Sequence, residues 1–336
     1  MMPLFTVIVP TYNRADLLRQ ALKSLNLQTF KDYEAFVIDD GSTDDTPRIF
    51  GEFLGQKNWN FIRLERNHGQ FYCRNLAIKE SKGRYITFLD SDDLWLPERL
   101  KKFAELINKN PDAGFIFSNG YIMQDGIIIG KFFKENRKIP KGKLPPYMAI
   151  SNYWLPYVTT NVAVKKEAID KVGYFREDMS HLEDMELYVR ILKYYEVDYI
   201  PEPLSIYRIH PLTKEPKSLT LKWEKGIEDF LIALQTAQPP EEIKNLLKEY
   251  VYYNQAVVMI KNAYGGMARK YLKEIKSTTK VSIIYMFSFT PKWIINILRF
   301  FYKKCRILGL KLFGPEEFKQ AEKWLSQIRQ CLKDRE

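Results

Sequence analysis

Tyr85-Ile86-Thr87-Phe88-Leu89-Asp90-Ser91-Asp92-Asp93 sets a short run of aromatic and β-branched residues directly against three carboxylates. A run of that length and composition reads as a strand buried on both faces, with the acids at its carboxyl end. The same construction stands upstream in Tyr33–Ile38, followed by Asp39-Asp40-Gly41-Ser42-Thr43-Asp44. Phe5–Val9, Asn60–Leu64 and Ala113–Phe117 are further runs of this kind. Between them lie amphipathic stretches at Arg14–Leu27, Thr46–Leu54, Gln70–Glu80 and Pro97–Asn108. In the first of these, Leu17, Leu18, Ala21, Leu22 and Leu25 share one side. Alternating strands and helices predict an α/β fold, with a mostly parallel sheet covered by helices. Ligands of such sheets bind beyond the carboxyl ends of the strands, where the acids sit.

After Ser118 the pattern changes. Tyr121–Phe133 reads as a hairpin turning at Asp125-Gly126, and the Pro- and Lys-rich stretch Ile139–Pro156 as a surface loop. A strand over Thr160–Val164, helices over Lys166–Val172 and Leu182–Tyr195, and a short strand over Val197–Ile200 follow. Pro211–Lys217 reads as a linker. Beyond it the pattern is helical to about Leu332, broken near Pro239-Pro240, Gly265-Gly266, Pro291 and Gly314-Pro315. The expected division is therefore residues 1–211 and a helical region over 212–336.

Length and composition fit this division. At 336 residues, 46% hydrophobic and 28% charged, the chain is an ordinary globular one of roughly two domains. Its three scattered cysteines exclude a disulfide framework or a cysteine-rich zinc site and suit a reducing compartment. The amino terminus has no basic run ahead of its apolar residues, which argues against a signal peptide. No G-x-G-x-x-G follows the first strand, and neither a P-loop nor a serine nucleophile elbow is present. Dehydrogenase, kinase and hydrolase chemistry lose support accordingly.

Four acid-bearing or histidine-bearing segments remain as candidates. An Asp at a strand tip, such as Asp40, can accept hydrogen bonds from a base or ribose, although the Gly41 turn alone would also place it there. Asp90 and Asp92, spaced i and i+2 across a bend, can converge on Mg²⁺ or Mn²⁺, which keep their other positions for phosphate and water. Three acids at a buried strand end repel one another unless something neutralises them. Ser180 and Glu183 have the spacing of a capping box, which leaves Asp184 free to take a proton from a hydroxyl. Tyr207-Arg208-Ile209-His210 holds one of only three histidines and invites a metal or diphosphate role, against the plainer reading of a surface histidine.

In this order, Val9-Pro10-Thr11-Tyr12-Asn13-Arg14, Asp39–Asp44, Arg74-Asn75 before Gly83-Arg84-Tyr85, Leu89–Asp93, Glu183-Asp184 and Tyr207–His210 resemble glycosyltransferase family 2. These are inverting enzymes with a GT-A fold, and the resemblance covers about Pro3 to Pro211. It implies that Pro10, Tyr12, Asn13 and Asp40 hold the nucleotide, with Arg74 near the nucleotide or pyrophosphate. Asp90 and Ser91 would lie against the donor, Asp90 toward the ribose, while Asp92 and His210 would serve a divalent cation, Mn²⁺ or Mg²⁺. Asp184 would be the catalytic base, with Glu183 beside it. The implied substrates are a nucleotide-sugar donor, UDP-linked, and a glycan or lipid-linked acceptor in cell-surface polysaccharide synthesis. Two alternatives are a sugar-phosphate nucleotidyltransferase, which normally carries a glycine-rich basic loop missing here, and a non-catalytic nucleotide-sugar-binding scaffold, against which Asp184 stands.

The net charge of +11 is not spread evenly. Residues 261–313 carry twelve Lys/Arg and one acid, Glu274, while the remainder balances at 40 of each sign. Lys292, Asn296, Arg299, Lys303 and Arg306 share one helical face, with Ile, Leu, Phe and Tyr on most of the rest. Such a segment, residues 281–313, suits an anionic membrane surface, against the plainer reading of a helix that packs its apolar side on the catalytic domain or a partner subunit. The apolar stretch Val281–Phe289 is short against the roughly 20 residues of a span. The expected place is cytoplasmic, peripheral on the inner face of the cell membrane. No nucleic-acid-binding motif accompanies the charge.

Overall fold

The computed structural model describes residues 2–133, 139–150, 158–179, 181–209 and 216–261, with 269, 272, 273 and 275. His210, Ser180 and the basic segment 281–313 lie outside the described residues. Two compact units make up the chain, divided at Ser218–Leu219, with Gln235–Ala237 counted in the first.

The first unit opens as the alternation predicts. Strands β1 (Phe5–Thr11), β2 (Tyr33–Asp39), β3 (Trp59–Arg63) and β4 (Tyr85–Phe88) alternate with helices α1 (Ala15–Asn26), α2 (Thr46–Gly51) and α3 (Gln70–Glu80). A two-residue strand β5 (Leu94–Trp95) and helix α4 (Arg99–Lys109) follow. Every residue of β1 is buried, which is why its sequence is an apolar run and not an alternation. The leucines of α1 close one side of the sheet, with Leu18, Leu22 and Leu25 fully buried against Val7, Val9 and Val37 in the core.

Beyond this half come β6 (Ala113–Gln124), β7 (Ile127–Lys131), β8 (Val162–Lys165), α5 (Lys166–Val172), α6 (Glu183–Leu192) and β9 (Glu196–Ile209). Nine strands form one sheet in the order β3-β2-β1-β4-β8-β6-β9-β5, with β7 pairing β6. Strands β1, β2, β3, β4, β6 and β9 run in one direction, and β5, β7 and β8 against it. The sheet is mostly parallel, with an antiparallel strand inserted between β4 and β6.

The hairpin turns where the sequence places it. Asp125 and Gly126 both have positive φ, 50° and 80°, as a tight two-residue turn requires. Two expectations are corrected. The stretch read as a surface loop carries a short 3₁₀ helix, Pro146–Ile150, whose Tyr147, Met148, Ala149 and Ile150 are buried. Its apolar residues outweigh the Pro and Lys around them, and Gly142 exchanges backbone hydrogen bonds with Val197. The strand expected at Val197–Ile200 runs on to Ile209, because register shifts against β6 near Ser118–Tyr121 accommodate Pro201 and Pro203. That extension carries Tyr207–Ile209 to the sheet end where the acids lie.

The second unit holds most of helix α7 (Pro216–Ala237) and helix α8 (Glu241–Lys261), separated at Pro239-Pro240. Among the described residues no helix is long and apolar enough to cross a membrane.

Candidate active site

A cleft of about 600 Å³ opens beyond the carboxyl ends of β1, β2 and β4. Pro10, Thr11, Tyr12 and Arg14 line one side, with Asp40, Asn67, Gly69, Gln70 and Cys73 below. Asp90, Ser91 and Asp92 meet Tyr207, Arg208 and Ile209 on the other side. Six of the expected residues therefore share one cavity: Pro10, Tyr12, Asp40, Asp90, Ser91 and Asp92. Tyr12 is 43% exposed and offers its ring to the opening.

The Asp39–Asp44 loop is built by main-chain hydrogen bonds. Asp39, fully buried, accepts the Ser42 N–H at 2.9 Å, and Arg63 approaches its other oxygen at 3.5 Å. Gly41 has φ +76°, and a Cβ there would stand 2.7 Å from the Arg66 backbone, so the turn requires glycine on both counts. The two Asp40 oxygens accept the N–H groups of His68 and Gly69 at 2.7 and 2.8 Å. Asn13, at φ 51°, does not line the cleft. Its amide oxygen accepts the Thr43 N–H at 2.8 Å and its own N–H donates to Ser42 Oγ, clamping the two loops together.

The Asp90–Asp93 turn is neutralised differently. Arg74, 2% exposed, lies behind the cleft among the rings of Phe71, Phe88 and Phe175. Its Nη2 donates to Asp90 Oδ1 at 2.7 Å and to the Thr159 hydroxyl at 3.1 Å, while that hydroxyl donates to Asp90 Oδ2 at 3.0 Å. Arg14 pairs with Asp92 at 2.5 Å on the cleft wall. Burial, with Asp90 and Asp92 nearby, pushes the Asp93 carboxyl well above the ordinary carboxylate range. Two ion pairs and one suppressed ionisation thus answer the repulsion that the sequence leaves open.

Arg208 joins the end of β9 to the same turn. Its N–H donates to Asp93 Oδ1 at 3.0 Å, its Nη1 to the Asp92 carbonyl at 3.0 Å and its Nη2 to Gln20 at 2.6 Å. Thr159 is held in turn through its neighbour: the Thr160 carbonyl accepts from Trp95 Nε1 at 3.1 Å and from buried Arg99 at 2.9 Å. Nothing in the local sequence marks Thr159 or Arg99. Arg14 and Arg208 fall inside quoted segments, where only their charge hinted at a role.

Glu183 and Asp184 open α6 and do not line the same cavity, but Glu183 approaches the arginine that pairs with Asp90. Glu183 Oε1 stands 4.0 Å from Arg74 Nη1. The helix begins at Glu183 behind Leu182, which is left-handed at φ 59° and makes no side-chain cap. A capping box on Ser180 would put Glu183 in the third helical position, whereas it occupies the first, so that expectation is corrected. Asn75 fastens the approach to this helix through paired hydrogen bonds with Phe175 and one to Glu177. Burial, then the neighbouring Asp184, raises Glu183 to about 8. Burial raises Asp184 to about 6, opposed by the Met185 N–H at 2.7 Å and by Arg74. Burial raises both carboxyls, so the pair keeps a proton to higher pH than two separate carboxylates would.

Among the described residues no cluster of three or more His, Cys, Asp or Glu is placed to hold a metal. The donor set nevertheless fits a hard cation. Asp90 and Asp92 supply carboxylate oxygens on one wall, and Mg²⁺-like ions are held by one or two carboxylates when substrate phosphates complete the shell.

Six strands in one direction, with a cleft beyond the carboxyl ends of β1, β2 and β4 and paired acids on its wall, define a mostly parallel α/β fold with its candidate site at a sheet edge. The sequence model of Glycosyl transferase family 2 matches residues 6–173, and the chain belongs to that family. It is therefore a glycosyltransferase with a GT-A-type fold. It is 31% identical, over 57% of its length and 71% of the relative's, to the UDP-Glc:alpha-D-GlcNAc-diphosphoundecaprenol beta-1,3-glucosyltransferase WfaP of Escherichia coli. The structure of S. aureus TarS 1-349 in complex with UDP-GlcNAc superposes with TM-score 0.62 at 20% identity, covering 84% of each chain. The mannosyltransferase PcManGT from Pyrobaculum calidifontis, in complex with GDP-Man and Mn²⁺, does so with TM-score 0.59 at 17% identity, covering all of this chain and 89% of that one. At those identities the two structures establish the fold.

Proposed function

We propose that the chain is an inverting, metal-dependent glycosyltransferase that moves a sugar from a UDP-linked donor to a hydroxyl of a lipid-linked or growing surface glycan. The single observation that carries this reading is the Arg74-centred array, in which one buried guanidinium faces Asp90 in the cleft and the Glu183–Asp184 pair at the start of α6. It ties the donor wall to a buried pair of carboxyls whose proton affinity burial raises, which suits a general base. The UDP-Glc and diphosphoundecaprenol in the name of the E. coli relative support the donor and acceptor classes.

In this reading Tyr12 and Pro10 bound the nucleotide pocket, and Asp40 and Asn13 hold the loop that shapes it. Asp184 receives the acceptor proton as the hydroxyl oxygen bonds to the anomeric carbon. The bond from that carbon to the diphosphate oxygen breaks on the opposite side, and a nucleoside diphosphate leaves. Asp92 and Asp90 would hold the divalent cation, which supplies Lewis-acid neutralisation of the leaving diphosphate when bound. Arg14 would release Asp92 on its arrival. The proposed location is the cytoplasmic face of a membrane, where a lipid-linked acceptor presents its glycan.

Asp184→Asn tests the assignment. It should lower transfer by about 10²–10⁴-fold and leave UDP binding in the presence of Mn²⁺ unchanged by calorimetry. Turnover at the wild-type rate removes Asp184 from the role of base.

A further inference from the structure

The tip of the β6–β7 hairpin carries a run of exposed aliphatic side chains beside the cleft. Ile127, Ile128 and Ile129 are 67%, 45% and 55% exposed. Scattered exposed hydrophobics are ordinary, but three in succession after a tight turn form a patch. Register carries that patch to the cleft wall. Ile127 opposes Gln124, which opposes Ile209 on β9, and Ile128 opposes Met123, which opposes Arg208. Ile209 is 39% exposed and lines the cleft with Arg208. Successive strand residues face opposite sides of a sheet, so isoleucines stand on both faces of a ribbon tip.

We propose that this tip is a lipid contact, entering the interfacial layer of an anionic membrane and setting the cleft mouth at the level of a lipid-linked acceptor. The proposal rests on the acceptor reading given above. A flat protein partner covers one face of a sheet end, whereas a fluid acyl layer meets both. Lys131 ends β7 with its ammonium 5.9 Å from the centre of the Tyr121 ring, a cation and an aromatic of the kind that sit at the headgroup boundary. The excess of +11, carried by residues 261–313, favours an anionic membrane over a neutral one for the chain as a whole. An acceptor tied to lipid through a diphosphate holds its first hydroxyls close to the headgroups. A cleft working there gains from an apolar foot at its rim.

The experiment uses the full chain with Cys305→Ser and Cys331→Ser, since Cys73 is buried. An environment-sensitive fluorophore is placed at Ile128→Cys, or as a control at Leu54→Cys, in the segment that leads into the β3 edge of the sheet. Phosphatidylcholine vesicles containing phosphatidylglycerol should shift the emission of the Ile128 probe to the blue and leave the Leu54 probe unmoved. A variant with Ile127→Ser, Ile128→Ser and Ile129→Ser should keep the wild-type affinity for UDP and bind the vesicles roughly ten-fold more weakly at limiting lipid. An unshifted Ile128 probe, or vesicle binding by the triple variant equal to that of the wild type, overturns the proposal. So does a triple variant that instead loses a dimer seen for the wild type by light scattering, which would make the tip an interface between copies. Absence of UDP binding by the wild-type chain would defeat the donor reading while leaving the vesicle result to stand alone.

Discussion

The two strand-end acid groups look alike in sequence and are stabilised by different means. Asp39 and Asp40 close β2 and are held mainly by main-chain N–H groups, from Ser42 to the first, which Arg63 also approaches at 3.5 Å, and from His68 and Gly69 to the second. Asp90 and Asp92, which follow β4, are met by arginine side chains, Arg74 under Asp90 and Arg14 over Asp92, while the Arg208 main-chain N–H donates to Asp93 and its side chain to the Asp92 carbonyl. Backbone dipoles fix a carboxylate in place without adding a formal charge, which suits a residue that shapes a pocket. Guanidinium groups balance charge, and an exposed one can be displaced by another cation. The difference marks the β2 loop as a frame and the β4 turn as the electrostatic working part.

Removing the buried cation is the hardest blow to that contrast. Arg74→Met leaves Asp90 and Glu183 without it, and breaking a buried pair in this way costs about 3–5 kcal/mol. Urea denaturation should show that loss near pH 7 and a smaller one at low pH, where the carboxyls take up protons. A loss that is the same at every pH would mean Arg74 acts only through packing.

Glu183→Gln should act in the opposite direction. Burial holds the Glu183 proton to about 8 in the folded protein, against an ordinary value of 4.5, so the folded chain binds more protons than the unfolded one between those limits. Wild-type stability therefore falls as pH rises through this window, and the neutral amide escapes the penalty. The variant should be more stable than wild type at pH 8, by an amount on the order of a few kcal/mol, and match it near pH 4.5. Equal stability at pH 8 would show that the fold does not raise the proton affinity of Glu183.

Asp40→Asn probes the frame. The amide keeps one acceptor but turns an NH₂ toward the second backbone N–H, at a cost of about 1–3 kcal/mol. No dependence on pH between 6 and 8 should accompany it, because no guanidinium is released. The smallest effect belongs to Arg14→Ala, whose guanidinium is 43% exposed, and its stability change should stay under about 1 kcal/mol. Its UDP affinity in Mn²⁺ should be kept or improved, since the pair with Asp92 no longer competes. A sharp loss of affinity would place Arg14 on the donor itself.

Much of this molecule is written locally. The positions of β1 to β4, the extent of α3 and the Asp125-Gly126 turn follow from runs of side chains and from the φ preferences of single residues. The acids at strand ends could be picked out for the same reason: a polar residue directly after a doubly buried strand has to emerge at the sheet's carboxyl edge. Burial of Pro146–Ile150 was not legible, because its Pro and Lys content mimics a loop and the helix it packs against lies far along the chain. Nor was the length of β9, where prolines signal an ending that bulges against β6 override.

What the sequence by itself determined was the alternation, and with it the sheet, the edge at which the acids gather and the family to which the chain belongs. What the tertiary structure alone decided was how those acids are kept in one cluster. Arg74 is 16 residues from Asp90, Thr159 is 69 away, and Arg208 reaches Asp92 from 116 residues off. Backbone propensities act over a few residues, whereas charge balance in a low-dielectric wall depends on distances in space. The fold has to close before a carboxylate at a strand tip finds the arginine that holds it.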